Sequence, residues 1–118
     1  GDKFISECIV IGDKKPFVSA ILVPNFEYII KYAKRKSILY TSIPGLLQEP
    51  RVLDLYRRRV ELHNEALSRY EQIKQFRLLD HDLRLEDGEI TPTLKVRRRR
   101  IAEVYADLID SIYQEGQG

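Results

Sequence analysis

Phe4-Ile5-Ser6-Glu7-Cys8-Ile9-Val10-Ile11, then Gly12-Asp13-Lys14-Lys15-Pro16, then Phe17-Val18-Ser19-Ala20-Ile21-Leu22-Val23: these residues decide the fold class. Two runs rich in β-branched and aromatic residues read as strands. The residues between them are turn formers, and so short a connection makes the pair a hairpin. Both runs are apolar at nearly every position, which predicts partial cover on both faces of each strand.

Outward from the hairpin, Pro24 ends the second strand and Asn25 offers a helix N-cap. Phe26, Ile29, Ile30 and Ala33 follow at the spacing of one amphipathic helix face, and Lys34-Arg35-Lys36 suits the negative helix end. Gly45-Leu46-Leu47 marks a short helix. Pro50 opens a longer one over residues 50–67, with Leu53, Tyr56, Val60, Asn64 and Leu67 on one side. Ile73–Leu79 reads as a third strand, and Glu86-Asp87-Gly88 as a tight turn. The last helix is expected over residues 98–113, with a stripe of Ile101, Val104, Tyr105, Leu108 and Ile112. The order of elements predicts an α+β fold: a small, mainly antiparallel sheet of about three strands flanked by helices, with residues 1–118 as a single domain.

Composition agrees with a self-sufficient core. With 118 residues, 43% of them apolar, the chain can bury roughly two-thirds of its unfolded surface without a metal or disulfide staple. Lys and Arg number 20 against 18 Asp and Glu, a net charge of +2, which argues against a dedicated nucleic-acid binder. The single cysteine, Cys8, excludes an internal disulfide framework and a cysteine zinc site, and fits a reducing cytoplasmic compartment. No apolar run approaches membrane-span length, and the N-terminus lacks the pattern of a signal peptide. A strand that begins three residues into the chain is expected of a piece of a longer protein.

The stretch richest in chemistry is Gly88-Glu89-Ile90-Thr91-Pro92-Thr93-Leu94-Lys95-Val96-Arg97-Arg98. A turn and a proline-stiffened loop present one lysine just before a helix. Proline fixes φ, so the loop loses less entropy when it orders against a partner. Leu94 and Val96 are placed to pack and aim the ammonium, which suits negative charge developing on phosphate or carboxylate. On residue chemistry alone an ordinary surface lysine, commonplace in loops, is the leading reading.

That stretch resembles the last signature motif of the AMP-forming acyl-CoA synthetases of the adenylate-forming superfamily, most of all the long-chain fatty-acid–CoA ligase branch. Three further segments resemble that family's C-terminal domain in the expected order: Ile9–Phe17, Leu22–Glu27 and Ser68–Phe76. Together the matches span almost all of residues 4–113. The resemblance implies a two-step reaction. ATP and a fatty acid form an acyl-adenylate and pyrophosphate; the C-terminal domain then rotates, and coenzyme A displaces AMP. It also implies a role for Lys95, residue for residue, as the lysine of the first step. Many family members carry glycine immediately before that lysine where this chain has Leu94; Thr-Pro-Thr-Leu-Lys is the long-chain form.

The resemblance further implies what lies elsewhere. The family places its phosphate loop, acyl tunnel, most of its adenine pocket and the site through which Mg2+ acts in a large N-terminal domain, with the hinge just before the first strand here. The expected partners are therefore that N-terminal domain, fatty acid, ATP and coenzyme A, and this chain alone is expected to be inactive. It would work as a lid whose closure completes the catalytic set.

Other charged residues carry weaker signals. Arg97-Arg98-Arg99-Arg100 sits at a helix N-terminus, where the dipole disfavours cations. Glu103 or carboxylates of the missing domain would neutralise them, or Arg97 and Arg98, with Thr93, would contact phosphates of ATP or coenzyme A. Arg57-Arg58-Arg59, near Glu61, reads as a solvated face, with attraction to anionic lipid as its sharper version. His63 reads as a packed or capping histidine, and His81 as a loop residue; their separation offers no metal motif. Glu86, Asp87 and Glu89 read as a solvated acidic turn, Cys8 as a small hydrophobe in a strand, and Tyr28 and Tyr32 as packing residues. A non-catalytic basic binding module, and an adenylating domain acting on another carboxylate for a carrier-protein thiol, are the competing functional classes.

Overall fold

A computed structural model of the chain describes residues 2–117, with side chains as far as Gln114. The chain divides into two compact units, residues 1–81 and 82–118.

The first unit is built on the predicted hairpin. Strand β1 (Ile5–Ile11) pairs antiparallel with β2 (Val18–Pro24), and Lys14 takes φ 60° in the connecting turn. The third strand, β3 (Ile73–Leu78), lies on the other side of β2 and runs parallel to it, so the sheet order is β1-β2-β3 and the sheet is mixed. A parallel return needs a crossover of a dozen or more residues. Here residues 25–72 supply it as three helices: α1 (Phe26–Arg35), α2 (Ile43–Leu47) and α3 (Pro50–Asn64). Central position explains β2, which is buried from Ser19 to Pro24. Edge position leaves β1 less covered: of its residues only Ile9 is buried, and Cys8 and Val10 are exposed.

The helices start where local chemistry directs. Asn25 caps α1, its side-chain oxygen accepting from Tyr28 N–H (3.3 Å), and Ser42 caps α2 through Gly45 N–H (3.1 Å). Pro50 stands at the first turn of α3. On α1, Ile29 and Ala33 are buried and Ile30 is exposed. On α3 the buried set is Val52, Leu55, Tyr56 and Val60, a wider face than the stripe read from sequence. The helix stops at Asn64 rather than 67, because the Asn64 side chain clasps both N–H and C=O of Ile73 (2.9 Å each) at the start of β3. The Phe4 carbonyl gathers three elements, accepting from Asn25 N–H (2.8 Å) and from the buried Tyr56 hydroxyl (2.9 Å). Phe4 also meets Tyr28 and Tyr32 edge-on, at 6.2 and 6.0 Å between ring centroids, as their packing role requires.

The second unit holds the acidic turn, the lysine stretch and the final helical segment. That segment is broken: α4 (Arg98–Val104) gives way at Tyr105 (φ −105°, ψ 24°) to α5 (Ala106–Gln117). The break shifts the buried face. Ile101 and Ile112 are buried as expected, but Ile109 and Tyr113 join them while Val104 is exposed. No helix of the described residues is long and apolar enough to cross a membrane.

Candidate functional site

The lysine stretch folds as a small hairpin. Arg97 N–H donates to the Glu89 carbonyl (3.0 Å), Ile90 and Val96 form an antiparallel bridge, and Thr91 N–H donates to the Lys95 carbonyl (2.9 Å). Leu94 N–H donates to the Thr91 carbonyl (2.8 Å) and closes the tip. Pro92 occupies the second position of this four-residue turn, where its fixed φ fits. Leu94 then adopts φ 66°, the left-handed region that follows the turn in three-residue hairpin loops. A residue bearing a Cβ costs roughly 1–2 kcal/mol there, and glycine does not.

The expectation that Leu94 packs against the lysine fails: its side chain is 74% exposed. The aim of Lys95 comes from the backbone instead. Lys95 N–H donates to Thr91 Oγ1 (3.0 Å), which shares a second hydrogen bond with Thr93 Oγ1 (3.1 Å). Lys95 itself is exposed, so the hairpin holds its main chain by both polar groups while the ammonium faces outward. Such an arrangement fits a cation delivered to an anionic partner without reorganising the loop.

The candidate phosphate contacts stand on the same hairpin and its exit. Thr93 is exposed at the tip, Arg97 is the N-cap of α4 without a side-chain cap bond, and Arg98 is the helix's first residue. Arg97 to Arg100 and Glu103 line a shallow cavity of about 420 Å³. Arg100 is engaged within the unit, its Nε donating to the Asp87 carbonyl (2.9 Å) and a terminal nitrogen to Glu103 (3.2 Å). Glu103 thus compensates part of the charge, in a helix whose first turn carries no acid.

Glu89 departs most from expectation. It belongs to the turn expected to be solvated, yet it is 1% exposed. Its Oε1 accepts from Arg84 N–H (3.1 Å) and from the Tyr105 hydroxyl (2.8 Å), and its own N–H donates to the Arg84 carbonyl (3.1 Å). Burial first, then the bond to Glu89, pushes the Tyr105 phenol far above its usual range, so it stays a donor. Gly88, at φ 73°, turns the chain just before Glu89, but the sequence carries no signal that residue 89 is buried. Glu86, by contrast, is exposed as read.

The remaining residues belong to the first unit. His63 is exposed near the end of α3 rather than packed, and Cys8 is exposed on β1 rather than a core hydrophobe. His81 lies 3.8 Å from Asp80. Arg57 and Arg58 are exposed and pair with Asp54 (3.4 Å each), as a solvated face would. Arg59 differs: it meets Asp2 at 3.2 Å and stands 4.9 Å over the Phe4 ring.

Comparison with known proteins follows the same lines. The family described as AMP-binding enzyme C-terminal domain matches residues 1–117. A long-chain-fatty-acid–CoA ligase of Mycobacterium tuberculosis is 35% identical over 112 residues, covering 94% of this chain and 19% of that protein. A long-chain-fatty-acid–CoA ligase of Rattus norvegicus is 27% identical over 128 residues, covering 94% of this chain and 18% of its own length. Among solved structures, the adenylation domain of a carboxylate reductase from Mycobacterium chelonae superposes with a TM-score of 0.63 at 20% identity, over 94% of this chain and 16% of that one. The chain therefore spans about a fifth of the curated relatives it matches, and its fold is that of the superposed segment.

Proposed function

The chain belongs to the AMP-binding enzyme C-terminal domain family, the C-terminal domain of adenylate-forming enzymes whose relatives here are acyl-CoA ligases, and from that premise we propose that it is the mobile C-terminal domain of an AMP-forming long-chain fatty-acid–CoA ligase. Lys95 supplies the cation for acyl-adenylate formation. The observation that carries this reading is the hairpin, which binds the Lys95 main chain on both sides and leaves its ammonium exposed.

The chemistry gives that ammonium a task. In the first step a carboxylate oxygen of the fatty acid bonds to the α-phosphorus of ATP, and the bond to pyrophosphate breaks. Two anions must approach each other, and Lys95 offsets the repulsion and the charge that builds on the phosphate oxygens. In the second step the thiolate of coenzyme A bonds to the acyl carbon and AMP leaves with its electron pair. Lys95 has no part there, so the domain can rotate away. Thr93, Arg97 and Arg98 would contact phosphate from the same face. In this scheme Mg2+ would be held by the large domain.

The test uses the parent enzyme with and without Lys95→Ala. Pyrophosphate release from ATP and palmitate is expected to fall by about 10²–10³, some 3–4 kcal/mol, while thioester formation from preformed acyl-adenylate stays within about threefold. Survival of both steps would remove Lys95 from the chemistry. A wild-type parent that releases no pyrophosphate with any fatty acid would return the chain to another carboxylate or to a basic binding role.

A further inference from the structure

We infer that Glu89, held by Tyr105, is a positioning residue for Lys95: a buried carboxylate that fixes the base of the lysine hairpin against the break in the final helix. This rests on the reading of Lys95 as the adenylation lysine and adds two residues to it.

The geometry converges on one residue. Main-chain groups of Glu89 bind in both directions, its N–H to the Arg84 carbonyl and its C=O to Arg97 N–H. It therefore belongs at once to the acidic turn and to the hairpin. Its side chain adds two bonds on a single oxygen, from Arg84 N–H and the Tyr105 hydroxyl. The other oxygen, Oε2, is buried and has no hydrogen-bond partner among the described residues. A buried carboxylate with one oxygen unsatisfied is a poor choice for stability alone, since an uncompensated buried polar group typically costs about 1–3 kcal/mol or more.

What Glu89 uniquely does is connect. From residue 89 the chain pairs residue by residue with 97, 96 and 95, so any tilt of Glu89 moves Lys95 through the ladder. The far anchor is Tyr105, whose helix breaks at that residue and whose hydroxyl reaches back 16 positions. Hence the broken helix and the buried acid act as one device. An exposed ammonium on a long side chain gains accuracy only from its backbone, and a misplacement of about 1 Å in a catalytic group can cost roughly a hundredfold.

The experiment compares Tyr105→Phe, Glu89→Gln and Glu89→Ala in the parent enzyme, each alone and combined with Lys95→Ala. Tyr105→Phe keeps the ring and removes only the hydroxyl, so it stands if Glu89→Ala does not fold. Tyr105→Phe and Glu89→Ala are expected to lower kcat for pyrophosphate release about ten- to a hundredfold, with KM for ATP and fatty acid unchanged. Thioester formation from preformed acyl-adenylate should stay within about twofold, and Glu89→Gln, which keeps an acceptor for both donors, should recover most of the rate. On the Lys95→Ala background Tyr105→Phe should add nothing, because its effect passes through the missing lysine. The inference is overturned by an equal loss in both half-reactions, by a full additional loss in the double variant, or by Tyr105→Phe behaving as wild type while Lys95→Ala is impaired. If Lys95→Ala itself retains adenylation, the functional reading fails first and takes this inference with it.

Discussion

At the scale of single residues, position 94 shows what a side chain bears at a positive φ. Leu94 sits at φ 66° with its side chain in solvent, so it gains nothing from its Cβ and bears the strain. Leu94→Gly is expected to keep pyrophosphate release within about twofold and to raise stability by up to about 1 kcal/mol, the relieved strain less the extra flexibility of the unfolded chain. Leu94→Val places a β-branched residue where it fits worst, and should lower adenylation about tenfold by displacing the turn. Steady-state pyrophosphate assays on the two variants separate these outcomes; equal rates would mean the angle is immaterial. Tyr56 offers a second test. Burial above all, with the charge of Asp2 adding and that of Arg59 opposing, pushes its phenol well above the ordinary value. Below about pH 10 it is neutral in both states and its contribution is intact; above that the unfolded chain ionises first and stability falls with rising pH. Tyr56→Phe should cost about 1 kcal/mol near neutrality, since the Phe4 carbonyl keeps its bond from Asn25. The gap should narrow above about pH 10 in denaturant melts. A constant gap would contradict the raised phenol.

At the scale of elements, the break at Tyr105 reassigns the buried face of the last helical segment. An uninterrupted helix would bury Val104 with Ile101 and Ile112, whereas Ile109 takes that place and Val104 is 39% exposed. Ile109→Ala and Ile112→Ala are expected to cost about 2–5 kcal/mol each, and Val104→Ala under about 1. Thermal or denaturant unfolding reads the order directly, and a Val104 variant as damaging as Ile112 would restore the unbroken helix. Asn64 shows the same coupling in the first unit. It falls on the inward side of α3, yet it works by binding the Ile73 backbone and so ends one element where another starts.

At the scale of the molecule, the hairpin presents one lysine, and in the proposed scheme little else on this chain serves the reaction. The chain covers 19% of its mycobacterial relative, and the substrate sites of an adenylating enzyme fall to the rest of the protein in the proposed scheme. The isolated chain is accordingly expected to give a cooperative unfolding transition and no pyrophosphate release from ATP with any fatty acid. Adding it in trans to a parent lacking it should restore little, because a tethered lid acts at a high effective concentration that free diffusion does not match. Turnover by the isolated chain would overturn the lid reading outright.

Sequence alone determined what depends on near neighbours. Asn25, Pro50 and Gly88 each act on the backbone within a turn of themselves, so the caps of α1, the start of α3 and the acidic turn were legible. The β1–β2 hairpin was legible for the same reason, its two strands and turn lying in consecutive residues. Tertiary structure decided whatever depends on partners distant in the chain. The parallel sense of β3 follows from where three helices return it, not from any residue within Ile73–Leu78. Cys8 and Val10 are exposed because β1 is an edge, which no strand states about itself. Glu89 is buried because Tyr105, one break further along, reaches back to it. An acidic residue between Gly and Ile looks the same in solvent or core until that hydrogen bond closes.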